Sequence, residues 1–140
     1  MLTVPMDIIA TPAVPPTNST YSQAVRHGGI VYVSGQTGVD PATNELTPGG
    51  QVVEYRQAIR NLEAILRSAG SSLDLVIRNT IYMTDVSQLA DLNQVYAEFF
   101  RHRPAKTGVE VKALAMGASI EIESIAAVAQ MSDPARDNDK

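Results

Sequence analysis

The chain has 140 residues, a 44% apolar fraction and a net charge of −4, which fits one domain with a real core rather than a disordered chain. The acidic balance argues against a dedicated nucleic-acid binder, which shows a basic stripe, and no run of 18 apolar residues exists to cross a membrane. The absence of cysteine excludes disulfides, thiolate nucleophiles and cysteine-held zinc together.

Residues 1–20 are rich in Pro, Thr, Ala and Asn. Pro12, Pro15 and Pro16 forbid helix there and limit strand to short pieces. The start lacks a cationic segment followed by an apolar one, so no secretory signal is evident and a cytoplasmic protein is expected. Asp7-Ile8-Ile9-Ala10 is the first strand-like run, which makes Met6 an alternative start to Met1. Residues 28–34 read as the next strand, opened by Gly28-Gly29. Asp40-Pro41-Ala42-Thr43-Asn44 is a turn cluster.

From Gln51 to Ser68 the pattern is helical. Val52, Tyr55, Ile59, Leu62 and Leu66 recur at steps of three and four, giving one apolar stripe, and Gly70 suits the residue after the helix end. Residues 74–84 carry Val76, Ile77, Ile81, Tyr82 and Met83, a strand by residue type. Ser87 is expected to cap a second helix, on which Leu89, Leu92, Tyr96 and Phe99 repeat the spacing. Pro104 marks its far side. Residues 107–114 read as a strand with Val109 and Val111 inward, followed by a Met116-Gly117-Ala118 turn. The last strand spans about 119–129. The polar tail, residues 132–140, is expected to fray.

The order is therefore β-β-α-β-α-β-β in one domain over residues 1–131, with a core of about 7–130. Helices interleaved with strands imply an α+β fold: one mixed sheet with both helices on one face. The other face still carries apolar side chains, and a second subunit is the usual cover, so an oligomer is expected.

Several polar residues stand where a plain core strand has no need of them. Glu121 and Glu123 lie two apart on a strand, so their side chains share a face about 7 Å apart. They suit acid–base work, or they simply face solvent. Lys106 opens a strand after Pro104-Ala105 and by itself reads as a surface lysine. Ser34 and Gly35 end the strand that begins near Gly28, and a glycine there admits close backbone approach or a plain turn. Tyr21 by itself reads as a packed ring with its hydroxyl bonded to backbone. His27 and His102 match no metal-ligand spacing. Gly49-Gly50 lacks the ending of a phosphate loop, and no Gly-x-Ser-x-Gly elbow exists.

Three stretches, Tyr21-Ser22-Gln23-Ala24-Val25, Ile30-Val31-Tyr32-Val33-Ser34-Gly35-Gln36-Thr37-Gly38 and Ser119-Ile120-Glu121-Ile122-Glu123-Ser124-Ile125-Ala126-Ala127-Val128, resemble the signature of the RidA (YjgF, endoribonuclease L-PSP) family. The resemblance covers roughly residues 7–130. It implies a chorismate-mutase-like fold and a compact homotrimer with ligand clefts between subunits. It implies a cofactor-independent deaminase that hydrolyses reactive enamines or imines of the 2-aminoacrylate type to keto compounds and ammonia. Glu121 would then handle the water or proton, and Tyr21, Ser34, Gly35 and Asn93 would line the cleft. No metal, membrane or nucleic acid is implied by these residues, only a small-molecule substrate or ligand.

Two positions depart from the pattern. Lys106 stands where the deaminases carry an arginine that grips the substrate carboxylate, and a lysine offers a point charge instead of a planar fork. Gly108 stands where several carry cysteine, which leaves room beside the cation. The competing expectation is a trimeric binding protein without turnover, in which Lys106 and Glu121 pair on adjacent strands.

Overall fold

A computed structural model describes residues 2–130. Six strands form the main sheet: β1 (Asp7–Ile9), β2 (Ala24–His27), β3 (Ile30–Thr37), β6 (Val76–Met83), β7 (Ala105–Glu110) and β8 (Ile120–Ala127). Two short strands, β4 (Val39–Asp40) and β5 (Glu45–Leu46), pair beside it. The helices are α1 (Gln51–Ser68) and α2 (Leu89–Phe99). The sheet order is β1-β2-β3-β8-β6-β7. Every neighbouring pair is antiparallel except β6 and β7, which are parallel and joined through α2, as a parallel pair requires a crossover.

The expected order lacks one strand of the main sheet. β2 precedes the predicted strand, and Gly28-Gly29 is not a strand opening but the turn between β2 and β3. Both glycines are left-handed, at φ 59° and 79°, the conformation a two-residue hairpin of right-handed twist demands. The turn cluster at 40–44 closes the β4–β5 hairpin. Helix α1 has the predicted bounds, and Tyr55, Ile59, Leu62, Ile65 and Leu66 bury its stripe against β3 and β8. Gly70 follows at φ 78°.

Ser87 does not cap the second helix. Asp85 does so for the short 3₁₀ turn that leads into α2, its carboxylate accepting from the Ser87 N–H at 3.0 Å and hydroxyl at 2.6 Å.

Facing residues in register share a side of the sheet. One row runs Ile9, Ala24, Val33, Ser124, Asn79, Lys106, and all but Lys106 are buried under the helices. The next row runs Ile8, Val25, Tyr32, Ile125, Arg78, Ala105 on the open side. Val109 belongs to this open side, 40% exposed, because it faces Tyr82. The expectation that it points inward is corrected, and Val111 lies beyond the strand end. Among the described residues no helix is long and apolar enough to cross a membrane. The tail expected to fray lies outside the described residues.

Candidate functional site

Along β8 the burial alternates strictly. Ile120, Ile122, Ser124 and Ala126 go under the helices, and Glu121 and Glu123 stay half-buried on the open side. Glu121 faces Thr37 on one side and Tyr82 on the other. Beside it the β3–β8 ladder slips between Val33 and Gln36, so Ser34 and Gly35 bulge out of register. The Glu121 carboxylate fills the space this leaves: a Cβ on Gly35 would lie 1.9 Å from its Oε1. Desolvation raises the Glu121 pKa above the ordinary carboxylate range, and the charge of Glu123 adds to the shift. Glu123 itself accepts a hydrogen bond from the Tyr82 hydroxyl at 2.6 Å. The two carboxylates therefore differ in kind: Glu123 is held by the Tyr82 hydroxyl, and Glu121 holds its proton more tightly than an exposed carboxylate does.

Gly35 also lines a cleft of about 440 Å³ whose walls include Pro15, Pro16, Tyr21, Asn61 and Met116. Tyr21 is 53% exposed there, so the packed alternative for its ring is set aside. The neighbours of Tyr21 in the motif do structural work. Gln23 is buried, and its carboxamide accepts from the Thr11 N–H at 2.7 Å and donates to the carbonyls of Thr11 at 3.1 Å and Pro15 at 3.3 Å. The Ser22 carbonyl accepts from the Ser34 hydroxyl at 2.6 Å. Ser34 thus fixes the bulge, and its hydroxyl is engaged.

A second cluster lies on the helix side of the sheet. Lys106 donates from Nζ to Asn93 Oδ1 at 2.8 Å and sits 4.4 Å from the centre of the Tyr96 ring. Partial burial lowers its pKa. Beneath it a buried polar chain runs inward. Asn79 donates to the Tyr96 hydroxyl at 3.0 Å and accepts from the Ser124 hydroxyl. Tyr96, Asn79 and Ser124 were not picked out by sequence reasoning. The available signal was Asn79, a carboxamide on the apolar alternation of Val76–Met83. Gly108 shares the side of Lys106, but the Met83 methyl already stands 3.3 Å from where its Cβ would be, so the room beside the cation is partly filled.

The structure brings Tyr21, Ser34, Gly35 and Glu121 together, and Lys106, Asn93 and Gly108 together, but it does not join the two groups. Lys106 is level with Ser124, three residues from Glu121, and β6 separates the two strands. That offset is about 10 Å across the sheet and about 10 Å along it, with the side chains on opposite faces. Within one chain the Lys106–Glu121 ion pair does not form, because chain order suggested neighbours where the sheet inserts β6.

Comparison with known proteins agrees with this architecture. The endoribonuclease L-PSP family model matches residues 11–128. The RutC family protein y4sK of Sinorhizobium fredii is 42% identical over 118 residues, 84% of this chain and 94% of the relative. The mouse 2-iminobutanoate/2-iminopropanoate deaminase is 38% identical over 120 residues, 85% of this chain and 89% of that one. The crystal structure of RidA from an Antarctic Psychrobacter superposes with a TM-score of 0.83 at 41% identity, covering 87% of this chain and 99% of that one. With its two helices on one face of a mixed sheet and its Glu121–Gly35 bulge, the chain belongs to the endoribonuclease L-PSP family, the RidA/YjgF group.

Proposed function

We propose that the chain is a cofactor-independent cytoplasmic hydrolase of 2-imino acids and their enamine forms, working as a homotrimer. The observation that carries this reading is Glu121, a half-buried carboxylate of raised pKa packed on Gly35, the glycine that lines the cleft. The relatives named as deaminases support it.

Hydrolysis of an imine consumes one water and releases ammonia. An enamine first takes a proton on its terminal carbon. Glu121 then accepts a proton as the water oxygen adds to the iminium carbon and returns it to the carbinolamine nitrogen; as the C–N bond breaks and the keto group forms, the hydroxyl proton leaves to the released ammonia, which departs as ammonium. A positioned acid–base group of this kind contributes on the order of 10²–10⁴-fold. The substrate carboxylate needs a cation, and Lys106 is too far from Glu121 within one copy. In the trimer, one copy contributes Glu121, Gly35, Ser34 and Tyr21, and the next contributes Lys106, Asn93 and Gly108. The exposed apolar groups on the open side, Ile8, Tyr32 and Val109, give the copies a reason to associate.

A coupled assay tests the activity. A threonine or serine dehydratase supplies the enamine in a buffer that does not itself hasten hydrolysis, and keto-acid release is followed. Release above the spontaneous rate is expected. No acceleration would leave a binding protein without turnover. Light scattering that gave a stable monomer at micromolar concentration would remove the shared site.

A further inference from the structure

Met116 stands out for having no structural reason to be what it is. It is 71% exposed, so it adds little to the core. Its backbone is left-handed, at φ 59° and ψ 19°, a conformation that Gly and Asn adopt readily and methionine does not. The turn that carries it is closed by its own hydrogen bond and anchored on the side that leads into β8. The Ala118 N–H donates to the Ala115 carbonyl at 3.1 Å, Ala118 is buried, and the Ser119 N–H donates to the Glu54 carboxylate at 3.0 Å. A strained residue on a pinned turn, five positions before Glu121, holds its thioether chain on the wall of the cleft that also contains Gly35 and Tyr21.

We infer that Met116 is a specificity-determining residue, and that with Tyr21 and Pro15 it grips the side chain of 2-imino acids carrying methionine- or phenylalanine-sized apolar groups. This deepens the hydrolase reading above and rests on it. The cleft of about 440 Å³ lies within the range that holds ligands much larger than a three-carbon imino acid. Tyr21 and Met116 are the large apolar side chains it exposes most, and both are among the exposed hydrophobic residues of the chain. An unbranched thioether adapts to apolar groups of different shape, while the reacting end of the substrate stays near Glu121.

The test uses the full chain and D-amino-acid oxidase, which generates the achiral imines of alanine, methionine and phenylalanine. Semicarbazide trapping reads how much imine escapes hydrolysis. The wild type is expected to have higher kcat/KM for the methionine and phenylalanine imines than for the alanine imine. Met116→Ala is expected to lower that preference about tenfold, the order set by losing a few methylene contacts, mainly through KM. Met116→Asn, which relaxes the backbone, should lower it as much, and Met116→Leu should keep it. A preference unchanged in Met116→Ala and Met116→Asn overturns the inference and leaves the hydrolase reading standing. So does an equal loss on all three imines, which would make Met116 a support of the turn. A wild type inert on every imine overturns the hydrolase reading and the inference with it.

Discussion

Replacing Gly35 by alanine separates the chemistry of the site from the stability of the fold. The added Cβ would stand 1.9 Å from Glu121 Oε1, 2.7 Å from Cδ and 3.0 Å from Cγ. Gly35 is not among the left-handed glycines, so alanine strains no dihedral angle. The atoms in the way belong to a flexible side chain, and the carboxylate must retreat about 1.5 Å to regain the 3.4 Å of ordinary contact. A reacting group misplaced by about 1 Å can lose on the order of 100-fold in rate, which equals about 2.7 kcal/mol of transition-state stabilisation. Overpacking costs about 1–3 kcal/mol in a rigid core, and the movable carboxylate puts this site at the low end. Gly35→Ala should therefore fold, melt a few degrees low, and hydrolyse imines about 100-fold more slowly. Gly38→Ala is the contrast, because its Cβ would lie 2.5 Å from both the Cα and the carbonyl oxygen of Glu54. There the backbone of α1 must move, and the fold should fail. Imine hydrolysis and thermal unfolding, measured on both variants, check the pair. A folded Gly35→Ala protein with wild-type turnover would refute the role given to the Glu121 carboxylate. A Gly35→Ala protein that unfolds like Gly38→Ala would make Gly35 part of the scaffold only.

Three more substitutions follow from the geometry. Glu121→Gln should cost on the order of 10²–10⁴-fold in hydrolysis. It should also change the pH dependence of stability: the raised pKa of Glu121 means the native state binds that proton more tightly, a contribution present below the unfolded pKa of about 4.3 and lost as pH rises through the folded value. Thermal melts should thus show the variant equal to wild type in acid, below the unfolded pKa, and more stable than it once the pH has passed the raised folded value. Lys106→Arg should improve turnover of 2-aminoacrylate-type substrates about tenfold, since a guanidinium can hold a carboxylate by two hydrogen bonds; a side-by-side kinetic comparison decides it. Tyr96→Phe leaves the buried Asn79 carboxamide without its acceptor and should lower unfolding free energy by about 1–3 kcal/mol in a denaturant titration.

Both helices and most strands were legible because their apolar spacing is regular, α1 to the residue. β2 was not, since Ala24-Val25-Arg26-His27 shows no alternation; its partners β1 and β3 define it. The direction of Val109 escaped for a related reason. Alternation shows which residues share a side but not which side the helices cover. Glu121 and Gly35 could each be picked out from motifs, yet their contact depends on the slip in the β3–β8 ladder, which no local pattern encodes. Lys106 and Glu121 looked like neighbours because their strands are consecutive in the chain, and only the sheet order puts β6 between them.

Gln23 ties the segment between β1 and β2 to the sheet through three hydrogen bonds to Thr11 and Pro15, and Val14 adds one buried side chain. The same segment supplies Pro15 and Pro16 to the cleft. One side of the cleft therefore rests on a handful of attachments, while the other, around Gly35, belongs to the central strands. Proteins open in units of unequal free energy, and segments with few buried contacts open first. A wall attached at so few points yields at less cost than the paired strands opposite it, so the shape of the cleft depends on the irregular segment more than on the strands that carry Glu121.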